Sequence, residues 1–175
     1  QSCVAGSRVI VDKKILKKII DLISQKSESI IVGDPENSNS NLGPLCTRKQ
    51  IQKIEKTLKK SIQQGGKIIF GGNKVSGEGN YFEPTLIHCP NSEIETLKIE
   101  MFGPVISIIE FDNEAEAVNI ANSSKYGLGS GIFTNNLARA HRVSRQIQAG
   151  ICWINTYRAI SPIAPFGGFN QSGYA

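Results

Sequence analysis

A chain of 175 residues has the length of one domain, the usual unit being about 150 residues. Hydrophobic residues make up 39% and charged residues 20%, which excludes a disordered chain and suits an ordinary core. The net charge of +5 comes from lysines that alternate with isoleucine and leucine at helical spacing, as solvated helix faces do; without interleaved stacking aromatics, no nucleic-acid partner is expected.

In chain order, Asp12 caps a helix predicted to run to about Gln25, with Ile15, Leu16, Ile19, Ile20, Leu22 and Ile23 on one face. Ser29 to Val32 is short and β-branched and reads as a strand or an extended segment, and Gly33 to Gly43 as a turn-rich loop. Thr47-Arg48-Lys49-Gln50 is a capping box opening a second helix. Ile51, Ile54, Leu58 and Ile62 form its stripe, and Gly65-Gly66 ends it. Lys67 to Phe70 is a strand and Gly71 to Asn80 a loop. Tyr81 to Cys89 is extended, with Pro84 demoting it to a sheet edge or a non-sheet segment.

Val105 to Phe111 is a buried strand. A helix over Asn113 to Asn122, a strand over Leu128 to Thr134, a helix over Leu137 to Ile147 and a strand over Gly150 to Asn155 follow. That alternation predicts an α/β layer with parallel strands and right-handed crossovers. No repeat or linker interrupts it, so residues 1–175 read as a single domain.

Apolar runs stop at four or five residues, far short of the roughly 20 a spanning helix needs, so no membrane partner is expected. Gln1-Ser2-Cys3-Val4 lacks the basic start and apolar stretch of a secretory signal. Four cysteines without a C-x-x-C pair make neither a disulfide scaffold nor a zinc site. A cytoplasmic location without bound metal is the expectation.

Cys3 lies among small residues, Ala5, Gly6 and Ser7, that permit close approach of a substrate and leave backbone N–H groups to face a developing oxyanion. A thiol there is a candidate nucleophile. For a lone cysteine the commoner role is a small buried hydrophobe, the reading given to Cys46, Cys89 and Cys152. Glycine and aromatic clusters occur at Glu100-Met101-Phe102-Gly103-Pro104, Tyr126-Gly127-Leu128, Ala149-Gly150 to Asn155, and Pro165-Phe166-Gly167-Gly168 to Ser172-Gly173. Each alone marks only a tight turn or a close backbone approach.

In this order, with Gln1-x-Cys3-x-Ala5-Gly6-x-Arg8, Gly43-Pro44-Leu45 and Tyr81-Phe82-Glu83-Pro84-Thr85-Leu86, they resemble the aldehyde dehydrogenase superfamily over essentially the whole chain. The resemblance implies an open, mainly parallel twisted α/β sheet with flanking helices, the catalytic domain of that family. It implies oxidation of a small-molecule aldehyde to a carboxylic acid with NAD or NADP. Cys3 would attack the carbonyl, giving a thiohemiacetal and then a thioester, with its own N–H as half of the oxyanion hole. Glu100 would hold the nicotinamide-ribose hydroxyls and Phe102 would flank that end of the cofactor. Ser2, Val4, Tyr157 and Phe166 would line the substrate tunnel, and Asn155 would support the site.

The family's dinucleotide-binding half, which carries most of the cofactor site and the hydrolytic base, and its oligomerisation tail have no counterpart in these residues. The resemblance therefore implies a catalytic domain that is inactive alone and belongs to a homodimeric or homotetrameric enzyme. A CoA-acylating member, or an inactive truncated paralogue acting as an interaction module, are the alternatives. In the tunnel loop, Tyr157 and Arg158 are adjacent, so only one of them can line the tunnel. An unpaired buried arginine is costly, which leaves Tyr157 inward and a neutral, medium-sized aldehyde as the expected substrate.

Overall fold

The computed structural model describes residues 1–174. The chain packs as two compact units, one of Gln1 and Ser7–Glu110, the other of Ser2–Gly6 and the chain from Phe111 onward. The boundary falls at the end of a buried strand, where composition does not change. Among the described residues no helix is long and apolar enough to cross a membrane. The fold is α/β, with parallel strand pairs and flanking helices, in line with the sequence reading.

The first unit is built on a four-stranded sheet in the order β1-β4-β3-β2, from β1 (Arg8–Asp12), β2 (Lys67–Phe70), β3 (Thr85–His88) and β4 (Val105–Phe111). β3 pairs parallel with β4 and antiparallel with β2. Pro84 does not put β3 at an edge, contrary to expectation: β3 is an interior strand. The proline stands one residue before the first paired residue, Thr85, so its missing N–H costs no ladder bond.

Asp12 accepts from the Lys14 N–H as predicted, but it caps a short 3-10 turn, Lys13–Ile15, that leads into α1 (Leu16–Glu28). Leu16, Ile19, Ile20 and Ile23 of α1 pack on the core of Val11, Leu86 and Ile108. Ser29 to Val32 is not a strand: only an isolated bridge, Val32 to Leu42, forms across the polar loop. A short segment with no neighbouring strand has no ladder to join.

Thr47 caps α2 (Arg48–Gln63) by accepting from the Gln50 N–H. The Gln50 side chain does not close the capping box; it donates to the Met101 carbonyl instead. Ile51, Ile54 and Leu58 are buried as predicted, whereas Ile62 is 49% exposed. The one-turn helix α3 (Glu95–Lys98), which the sequence reading passed over, sits against α2 through Thr96 N–H to Ser61 Oγ, 3.1 Å.

The second unit holds α4 (Glu114–Asn122), β5 (Tyr126–Gly127), β6 (Gly129–Ile132), α5 (Leu137–Ser144), β7 (Ile151–Ile154) and β8 (Phe169–Asn170). β6 and β7 form a parallel pair through the α5 crossover, as the alternation predicted, while β5 pairs antiparallel with β8. Both helices start on side-chain caps, Asn113 and Asn136. Arg142 clamps them with a bidentate pair to Glu114, at 2.7 and 2.8 Å.

Candidate active site

The segment around Cys3 is a tight turn. Ala5 N–H donates to the Ser2 carbonyl at 3.0 Å, which places Cys3 and Val4 at the two central positions. Val4 is 6% exposed and packs where a side chain on Gly129 would otherwise reach it, so it anchors the turn on β6. Cys3 is exposed at the apex, and its N–H is not used within the turn. A small buried hydrophobe is therefore not its role.

The other cysteines divide. Cys89 is buried, and that burial pushes its thiol up against the weaker opposing hydrogen bonds of Thr96 and Ser107, so it is held as an inert thiol. Cys152 is half-buried on β7. Cys46 is exposed, which corrects its reading as a buried hydrophobe; it precedes α2, and its N–H donates to Gln1 Oε1 at 3.0 Å. Among the described residues no cluster of His, Cys, Asp and Glu gathers to hold a metal.

The second unit also carries Asn155, Tyr157 and Phe166, the residues expected near a substrate. β7 ends at Asn155, which adopts a left-handed φ of 52°. Its side chain accepts from the Thr134 N–H at 2.9 Å and donates to the Thr134 carbonyl at 3.0 Å. This amide copies a ladder pair and extends the β6–β7 pairing beyond the strands. The loop turns there, and Tyr157 comes back against Trp153 with ring centroids 4.8 Å apart and tilted by 57°. The indole Nε1–H donates to the Ala159 carbonyl at 2.7 Å, which pins the loop.

Tyr157 is half-buried, and that burial pushes its phenol up, with Arg158 a weaker opposing influence; the ring stays neutral across the physiological range. Arg158 is exposed, with φ at 64°. The two adjacent residues thus differ in burial, Tyr157 half-buried and Arg158 exposed. The turn of Cys3 and the Tyr157 loop meet at Gly6: a Cβ there would lie 3.9 Å from the Tyr157 Cζ and Oη. Phe166 is 37% exposed on the loop that precedes β8, and Ser2 is half-buried with its carbonyl spent on the turn.

In the first unit, Glu100 and Phe102 stand on the short connection between α3 and β4. α2 holds this connection from below: Lys53 Nζ donates to the Glu100 carbonyl at 2.6 Å, and Gln50 Nε2 donates to the Met101 carbonyl. Met101 is 2% exposed. Gly103 lets the chain lie on α2, since a Cβ there would come within 2.5 Å of Ile54 Cδ1. These contacts hold Phe102 in a left-handed conformation, φ 45°, that costs a non-glycine residue on the order of 1 kcal/mol. The Glu100 carboxylate, half-buried, takes no side-chain partner among the described residues, and the Phe102 ring is 37% exposed. Lys53, and the reach of the Gln50 side chain to this connection, escaped the sequence reading. Their only signal is a polar pair three residues apart beside the apolar stripe of Ile51 and Ile54.

The sequence profile of the aldehyde dehydrogenase family matches residues 1–175. The (Z)-2-((N-methylformamido)methylene)-5-hydroxybutyrolactone dehydrogenase of Acinetobacter baylyi is 46% identical over 175 residues, covering 99% of this chain and 36% of its own length. A betaine aldehyde dehydrogenase of Sinorhizobium fredii is 38% identical over 177 residues, again 99% of this chain and 36% of the relative. The NAD+ complex of an aldehyde dehydrogenase from Bacillus cereus superposes with a TM-score of 0.94 at 32% identity, covering 99% of this chain and 35% of that one. The chain thus spans about a third of the length of the relatives it matches, and it belongs to the aldehyde dehydrogenase family.

Proposed function

We propose that the chain is the catalytic portion of an NAD(P)-dependent aldehyde dehydrogenase that converts an aldehyde to a carboxylic acid through covalent intermediates on Cys3. The observation that carries this reading is the exposed Cys3 at the apex of an anchored turn, beside small residues and with a backbone N–H that meets no acceptor among the described residues. Cys3 Sγ, as the thiolate, adds to the carbonyl carbon, and the π pair moves to oxygen. The Cys3 N–H donates to that oxyanion. The resulting thiohemiacetal loses its C–H pair as hydride and becomes a thioester. When bound, the nicotinamide cofactor supplies the hydride acceptor. Water then displaces the thiol and releases the acid.

Glu100 and Phe102 fit the cofactor's nicotinamide-ribose end. A carboxylate without a side-chain partner among the described residues, on a backbone held at two carbonyls, is free to accept from two neighbouring hydroxyls. Glu100→Gln in the intact enzyme is expected to lower the single-turnover rate of hydride transfer by about 10- to 100-fold while cofactor affinity changes little, because misplacement costs rate more than binding. An unchanged single-turnover rate would make Glu100 a plain surface group.

The Trp153–Tyr157 wall is apolar and the Arg158 guanidinium lies in solvent, which favours a neutral, medium-sized aldehyde. The same aromatic pair favours one second reading, a cationic aldehyde held by a cation–π contact of about 0.5 to 2 kcal/mol; several relatives are named betaine aldehyde dehydrogenases. Measured kcat/KM for hexanal, betaine aldehyde and succinic semialdehyde separates them. Hexanal is expected to lead, with Arg158→Ala without effect. A lead for betaine aldehyde supports the second reading, and a lead for the semialdehyde that disappears in Arg158→Ala overturns both.

A further inference from the structure

We propose that Gly131 is a specificity-determining residue, which keeps open the seat of the Tyr157 ring beside the Cys3 turn. The inference rests on Cys3 as the nucleophile and adds a determinant that lies on strand β6, outside the substrate loop. Gly131 stands in register with Trp153. Its φ lies outside the left-handed region, so the backbone would accept any residue; space is what it provides. A Cβ at this position would fall 2.6 Å from Tyr157 Cδ2, 3.0 Å from Cε2 and 3.5 Å from Phe133 Cε2.

Phe133 is 69% exposed and can swing away. Tyr157 has less freedom. Trp153 faces one side of its ring, and the indole is itself tied to the Ala159 carbonyl. Gly6, three residues after the nucleophile, lies against its phenol end. Ordinary contact begins at 3.4 Å, so a methyl group on residue 131 forces the ring edge out from 2.6 Å. Because the ring borders the segment that carries Cys3, the displacement reshapes the wall an aldehyde meets. A change of one methyl group in an apolar pocket alters discrimination by about tenfold or more.

The test compares kcat/KM for benzaldehyde and for propanal in the intact enzyme, in Gly131→Ala, in Tyr157→Ala and in the double variant. Gly131→Ala is expected to shift the benzaldehyde-to-propanal ratio by about tenfold, and to leave it unshifted in the Tyr157→Ala background, where no ring remains to displace. An unshifted ratio in folded Gly131→Ala overturns the proposal. So does an equal shift in both backgrounds, which would place the effect elsewhere. If Gly131→Ala does not fold, rescue of folding by Tyr157→Ala supports the contact, and failure in both backgrounds overturns it. The reading of Cys3 fails separately: if Cys3→Ala retains turnover, the nucleophile is wrong whatever the ratio does.

Discussion

Cys3→Ala in the intact enzyme is expected to abolish aldehyde oxidation, with kcat/KM down by on the order of 10⁴-fold or more and cofactor binding nearly unchanged. Removing the nucleophile of a covalent mechanism removes every later step with it, and the partners of such a unit do not compensate one another. The methyl of alanine keeps the turn, because the fold there depends on the Ser2 carbonyl, the Ala5 N–H and the buried Val4, none of which is the thiol. Loss of activity would therefore report chemistry rather than misfolding. Cys3→Ser sharpens the point: a hydroxyl stays protonated where a thiol can ionise, so serine should be nearly as inactive. Thiol labelling gives an independent readout. Iodoacetamide should modify Cys3 while Cys89 stays protected in the core. Cys46 is exposed as well, so its labelling is followed by peptide mapping and not by the total count. Retained turnover in either variant would remove Cys3 from the mechanism.

What the sequence could disclose depended on how local its cause was. The cap at Thr47 and the stripe of Ile51, Ile54 and Leu58 act within one or two turns of chain, and they appear where the pattern puts them. The Cys3 turn is local too, although its small residues read as room for a substrate and not as a turn. Positions decided by distant neighbours were harder to read. The Gln50 side chain could accept from the local Thr47 N–H, but it reaches instead to donate to the remote Met101 carbonyl. Pro84 looked disruptive until β3 was seen to begin one residue later. The break between the two units falls at Glu110–Phe111, inside an unbroken apolar strand, where no change in composition marks it. The glycine clusters were legible as tight places but not as partners of one another, since each needs the other's backbone to explain it.

That mutual dependence supports the second large effect. Gly150→Ala is expected to cost on the order of 3 kcal/mol or more, against less than about 0.5 kcal/mol for Gly43→Ala. A Cβ on Gly150 would lie 1.7 Å from the Gly167 carbonyl oxygen and 3.0 Å from Gly168 Cα. On Gly127 it would lie 2.1 Å from the Gln148 carbonyl oxygen, and on Gly168 it would lie 2.8 Å from that of Gly127. Three backbones thus meet at van der Waals distance, tied by Gly150 N–H to the Gly127 carbonyl at 2.9 Å and Gly168 N–H to the Gly173 carbonyl at 2.7 Å. The obstructing atoms are main chain, so no rotamer change relieves the overlap. A methyl group there must separate the start of β7 from the Pro165–Gly168 segment. At Gly43 the nearest atom to a Cβ is Pro35 Cγ, 3.7 Å away, an ordinary contact. Thermal unfolding of the two variants measures the difference: at about 2 to 4 °C per kcal/mol for a chain of this size, Gly150→Ala should melt roughly 6 to 12 °C below Gly43→Ala. β7 also carries Trp153 and leads to Asn155 and Tyr157, so activity should fall before the protein unfolds. A Gly150→Ala variant that melts with its parent would show that the three backbones can part at little cost.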